Sequence, residues 1–150
     1  MAIHFGKTVM YIDMEPYDKY HEKGIQARDI PIAEAGIAPL EDSVETIKVA
    51  LAGIIAEELF FEKDLESLLS LSEHDMNMLM LYKNGGSKDF FEAADRLNKL
   101  GINDKCYDIL RDTAILIGDP NIKKKIDTLA QALMIRTKLN ENEIISIIEK

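Results

Sequence analysis

Proline limits where this chain can be helical, because it lacks the backbone N–H and its ring crowds the preceding turn. Three of the four prolines, Pro16, Pro31 and Pro39, stand within the first 40 residues, interleaved with Gly6, Gly24 and Gly36. Beyond them only Pro120 remains, directly after Asp119, where a helix can start on an N-cap and lose nothing from a missing N–H. The sequence therefore reads as one domain, residues 1–150, with a strand and loop region over 1–40 and a helical region over 41–150. A chain of this length can bury a core without disulfide or metal staples.

In the first region Thr8-Val9-Met10-Tyr11-Ile12 follows Gly6 and is rich in β-branched and aromatic residues, which predicts a strand. A second short extended piece is expected near Ile25 to Ile30. The remainder between Pro16 and Pro39 reads as surface loop. In the helical region Asp42 and Glu45 have capping-box spacing. Val44, Ile47, Leu51, Ile54, Ile55 and Leu59 then recur at helical intervals, with Val49, Ala50 and Ala52 on other faces, so this helix is expected to be central and buried. Further helices are predicted through Met76, Leu79, Met80 and Tyr82, stopping at Gly85-Gly86, and through Phe90, Phe91, Ala94 and Leu97, with Gly101 as a left-handed cap. Cys106, Ile109, Leu110, Thr113 and Ile117 form the next stripe, closed by Gly118. Asp119-Pro120 opens a helix expected to bury Ile122, Ile126, Leu129, Ala130 and Leu133, and Asn140 with Glu143 starts a short last one. Six helices behind a small strand region make a mainly α fold.

Charge and composition narrow the function classes. Lys plus Arg number 18 against 27 Asp plus Glu, a formal charge of −9. Phosphate backbones and anionic membrane surfaces both require clustered cations, so neither nucleic acid nor membrane is an expected partner. The longest apolar run, Val49 to Ala56, is far short of the roughly 20 residues that span a bilayer. A single cysteine, Cys106, has no internal disulfide partner, which fits a reducing cytoplasm.

Few residues offer chemistry. Cys106 lies on an apolar stripe and reads as core packing. His21-Glu22 imitates half of His-Glu-x-x-His, but Ile25 stands where the second histidine is needed. Met76, Met78 and Met80 read as adaptable core filler. Glu57-Glu58 ends the central helix, with one carboxylate emerging into solvent and the other facing inward, where it needs a partner. Glu57 is expected to be the inward one. Ser72-Glu73-His74-Asp75 reads first as a helix cap, with Asp75 favourable in the first turn.

The run Ala50-Leu51-Ala52-Gly53-Ile54-Ile55-Ala56-Glu57-Glu58-Leu59-Phe60-Phe61 resembles the Leu-x-Gly-Arg-Ala-Ala-Glu-Glu-x-x-Phe helix in the peptidase domain of FtsH-type ATP-dependent zinc metalloproteases. The order continues. Ser72 to Met76 falls where that family has Ser-Asn-Asp-Leu, Cys106 to Ile148 resembles its closing helices, and Phe5-Gly6-Lys7-Thr8-Val9 resembles the glycine and edge strand after its active-site helix. The resemblance covers nearly the whole chain. It implies a multi-helix FtsH-peptidase-like domain in which Asp75 corresponds to the third zinc ligand. Glu57, Glu58 and His74 would stand around that site, one glutamate orienting a metal-bound histidine.

Departures from the family pattern decide what activity is expected. The family's His-Glu-x-x-His precedes the segment resembling Met1 to Gly6, Ile54 replaces its arginine, and His74 replaces its asparagine. A zinc peptidase needs three protein ligands and a metal-bound water, and Asp75 alone cannot supply them. The expectation is a zinc metallopeptidase-like domain with no catalytic residues of its own, inactive as written and binding zinc weakly or not at all, either a fragment or a degenerate homologue. Asp75, and after it His74, are the residues expected to meet any metal that binds. The alternative is a non-catalytic helical module that binds a protein, a peptide or a second copy of itself. Its surface would lie near His4, Phe5 and an open edge of the Thr8–Ile12 strand.

Overall fold

The computed structural model describes residues 1–15, 17–26, 34–82 and 86–150. Among them the chain is mainly α, with eight helices and one three-stranded sheet, arranged as two compact units. One unit is helical and holds Met1 with Leu40–Lys123; the other holds Ala2–Pro39 with Lys124–Lys150.

Helix α2 (Val44–Glu57) is the axis of the helical unit. Ser43, in extended backbone, starts it by accepting the Thr46 N–H on its hydroxyl at 3.2 Å. The expected cap at Asp42 is thus displaced by one residue. The Arg96 guanidinium draws the Asp42 carboxylate to itself at 2.9 Å, and the neighbouring hydroxyl caps instead. Ile47, Leu51, Ile54 and Ile55 are buried, each contributing about 1.5–3 kcal/mol by leaving water. They pack against α5 (Gly86–Leu100), through Ala93 and Leu97, and α6 (Cys106–Gly118), through Ile109, Leu110, Ala114 and Ile117. Helix α4 (Glu73–Tyr82) buries Met76 and Met80 as expected of core filler, while Met78 is exposed. The break before α5 comes no later than Gly86, which begins that helix; Gly85 lies outside the described residues.

Short α3 (Leu65–Leu69) leaves carbonyls at its end that need donors. Two side chains on α6 bond carbonyls at that end and just beyond it. The Tyr107 hydroxyl donates to the Leu71 carbonyl at 2.6 Å, and the Arg111 guanidinium donates to the Leu69 carbonyl. Gly101 closes α5 at φ +68°, and the Asp119 carboxylate accepts the N–H groups of Asn121 and Ile122 at 2.9 and 3.2 Å. Both punctuation marks sit where the sequence puts them.

The other unit is built on β1 (Val9–Asp13), the expected strand. It is central, not an edge: β2 (Glu34–Ile37) and β3 (Lys138–Asn140) pair with it on either side, both antiparallel. The open edge expected there is closed because residues from the far end of the chain return to it. Tyr11 faces Gly36 across the β1–β2 pair, and a Cβ on Gly36 would stand 2.2 Å from Tyr11 Cε1, so the ring occupies the space that glycine leaves. The region read as loop also contains α1 (Tyr17–Glu22). Ile25 and Gln26 belong to no element, and the rest of the expected Ile25–Ile30 strand lies outside the described residues.

Helix α7 (Pro120–Arg136) departs from expectation. It buries no residue: Ile122, Ile126, Leu129 and Leu133 are half-buried and Ala130 is exposed. Lys123, Lys124, Lys125, Asp127, Thr128 and Gln131 take most of its circumference, leaving a stripe too narrow to be enclosed. It ends on Thr137 at φ +58°, whose N–H bonds to the Leu133 carbonyl at 2.8 Å. Helix α8 (Glu141–Ile148) opens with the expected box, Asn140 and Glu143 exchanging bonds at 3.1 and 2.9 Å, and buries Ile144. None of the described helices is long and apolar enough to cross a membrane.

Candidate functional site

The residues singled out by the sequence fall on the end of α2 and the start of α4. After Glu57 the backbone widens into a π-helical turn, Glu58–Glu62, a feature that often accompanies functional positions. Glu58, not Glu57, faces inward: it is 1 % exposed, whereas Glu57 is exposed. The reason is periodic. Ile47, Leu51, Ile54 and Glu58 recur at intervals of three and four on one face, and Glu57 falls beside it. Lys63, at the end of the π turn, brings its ammonium to 3.9 Å from Glu58 Oε2, so the buried charge has a cation beside it.

Asp75 is committed to starting α4. Its N–H donates to the Ser72 hydroxyl at 3.1 Å, and that hydroxyl donates to Asp75 Oδ2 at 2.9 Å. Glu73, His74 and Asp75 are all exposed. Among the described residues no three His, Cys, Asp or Glu side chains come together in a way that could hold a metal ion. The sequence neighbours are near each other along the chain, but the fold does not converge them on a centre. Cys106 is half-buried, and burial together with the Glu73 charge pushes its thiol above the ordinary value, which suppresses the nucleophilic thiolate.

A hollow of about 210 Å³ opens beside the π turn. Leu59, Phe60, Leu65 and Ile117 form its apolar lining, and Asp64 and Lys123 add one charge of each sign. The Asp64 carboxylate accepts the Ser67 N–H at 2.7 Å, which holds its pKa below the usual value and keeps it charged near neutral pH. The Lys123 ammonium sits over the Phe60 ring, 5.1 Å from its centroid. Gly118 matters for shape: a Cβ there would meet Leu65 Cδ2 at 2.9 Å. Sequence reasoning placed Gly118 only as a helix stop and passed over Lys123 and Asp64, because nothing along the chain signals that residues 59–65 and 117–123 meet. Compared with known protein families, curated proteins and solved structures, the chain has no match.

Proposed function

We propose that this chain is a peptidase-like domain of the FtsH type that binds protein or peptide and does not hydrolyse it, in the cytoplasm. The observation that carries the reading is the use made of Asp75, the residue matching the family's third ligand: it is spent on capping α4, in a bond to Ser72. Support for descent is the ordered run of matched residues through Glu57-Glu58 and Ser72–Met76. Support for a binding role comes from large apolar side chains held in water: Phe61 of the helical unit at 81 % exposure and, in the other unit, the sequence neighbours Met134 and Ile135 at 86 % and 83 %. Such groups are the usual anchors of a protein interface.

Parallel variants test the proposal. A capping role predicts that Ser72→Ala and Asp75→Ala each lower stability by about 1 kcal/mol, with zinc making no difference to any of the three proteins. Zinc-dependent cleavage of casein, or zinc-dependent stabilisation lost in Asp75→Ala but kept in Ser72→Ala, would overturn it.

A further inference from the structure

The hollow beside the π turn combines an apolar lining with one cation and one anion, and that combination selects a ligand. We propose that it binds a free aliphatic α-amino acid of about valine or leucine size. The Lys123 ammonium takes the carboxylate, the Asp64 carboxylate takes the α-ammonium, and the branched side chain lies against Phe60, Leu65 and Ile117. This site is separate from the protein-binding reading and does not depend on it.

Size, charge and positioning agree. An apolar cavity of roughly 150 Å³ accepts benzene, so the 210 Å³ here takes a molecule a few heavy atoms larger, below the range of drug-sized pockets. A chain of formal charge −9 repels an isolated carboxylate, whereas a zwitterion arrives neutral and can answer both charges of the lining. An amine alone or an acid alone leaves one of them unanswered. Lys123 is exposed, and the Phe60 ring holds its ammonium 5.1 Å from the ring centroid, on the lining of the hollow. The Ser67 N–H fixes the Asp64 carboxylate at 2.7 Å and uses one of its several lone pairs, leaving others for an ammonium. Gly118 sets the depth. With Leu65 Cδ2 only 2.9 Å from where a Cβ would stand, a side chain there pushes Leu65, the flexible neighbour, into the space the ligand would fill.

Amide NMR titration of the full chain tests the site, with L-leucine, isoamylamine, isocaproate and N-acetyl-leucine methylamide as probes. Leucine should give saturable shifts at Phe60, Leu65, Gly118 and Lys123. The amine and the acid, each carrying one of the two charges, should bind about tenfold more weakly or worse. Lys123→Gln and Gly118→Ala should each weaken leucine binding to a similar extent while leaving the far-UV circular dichroism unchanged. Absence of saturable shifts with leucine, equal binding of isocaproate or isoamylamine, or undiminished binding by Lys123→Gln overturns the proposal. Tighter binding of the methylamide also overturns it and reassigns the hollow to a peptide chain.

Discussion

At the residue scale, Asp89 shows how position and burial oppose each other. It stands in the first turn of α5, where a negative charge is favoured by the helix dipole. Yet burial first, and then the Glu92 carboxylate, raise its pKa above the ordinary value. We predict that desolvation outweighs the dipole. A carboxyl whose folded pKa exceeds its unfolded one stabilises the fold below the unfolded value, and that contribution is lost as pH rises through the folded value. At neutral pH its charge therefore opposes folding. Asp89→Asn should be modestly more stable than the natural chain at pH 7, and the difference should shrink as pH falls towards the carboxyl range. Urea midpoints across that pH series measure it; a variant less stable at pH 7 would show that the dipole prevails.

At the element scale the π turn raises a question of asymmetry. Glu58 is 1 % exposed on its side chain and Lys63 is 35 % exposed. Removing the lysine leaves a desolvated carboxylate with one cation fewer, whereas removing the carboxylate's charge leaves a lysine that water can reach. Lys63→Ala should cost about 1–2 kcal/mol and Glu58→Gln less than about 1 kcal/mol; denaturant unfolding giving the reverse order would mean that the contact at 3.9 Å is incidental. That one of the paired glutamates faces inward was legible in the sequence, but Glu57 is the one expected there, whereas the Ile47, Leu51, Ile54 stripe leads to Glu58. The caps at Gly101, Asp119 and Asn140 were legible too, because each depends on neighbours within a turn. Strand β3 was not. Lys138-Leu139-Asn140 is three residues with one apolar position, and only its pairing with Tyr11, Ile12 and Asp13 makes it a strand. The hollow escaped for the same reason: Leu65 and Gly118 are brought together by tertiary packing, and neither residue carries a local sign of the other.

At the scale of the whole molecule, two differently built units share one chain, and α7 passes from one into the other at Lys123 and Lys124. The helical unit encloses α2 on several sides, with Ile47, Leu51 and Ile55 fully buried. The sheet unit is closed by residues from both ends of the chain, through β1 and β3. Helix α7 differs from α2 in kind. It has 17 residues and buries none of them, so tertiary packing contributes little to holding it. Isolated helices of this length are marginal in water, and protection of their amides follows packing more than propensity. Opening α2 exposes a buried stripe and approaches the cost of unfolding the unit; opening α7 exposes little that was dry. Amide hydrogen exchange should therefore be faster along residues 124–134 than along 47–56 by about 100-fold or more, a difference of roughly 3 kcal/mol in opening free energy. Mass-resolved or NMR exchange at neutral pH reads both segments in one experiment. If α7 proved as protected as α2, its half-buried stripe of Ile126, Leu129 and Leu133 would have to be covered in solution by something further, and a concentration-dependent loss of that protection on dilution would identify it as a second copy of the chain.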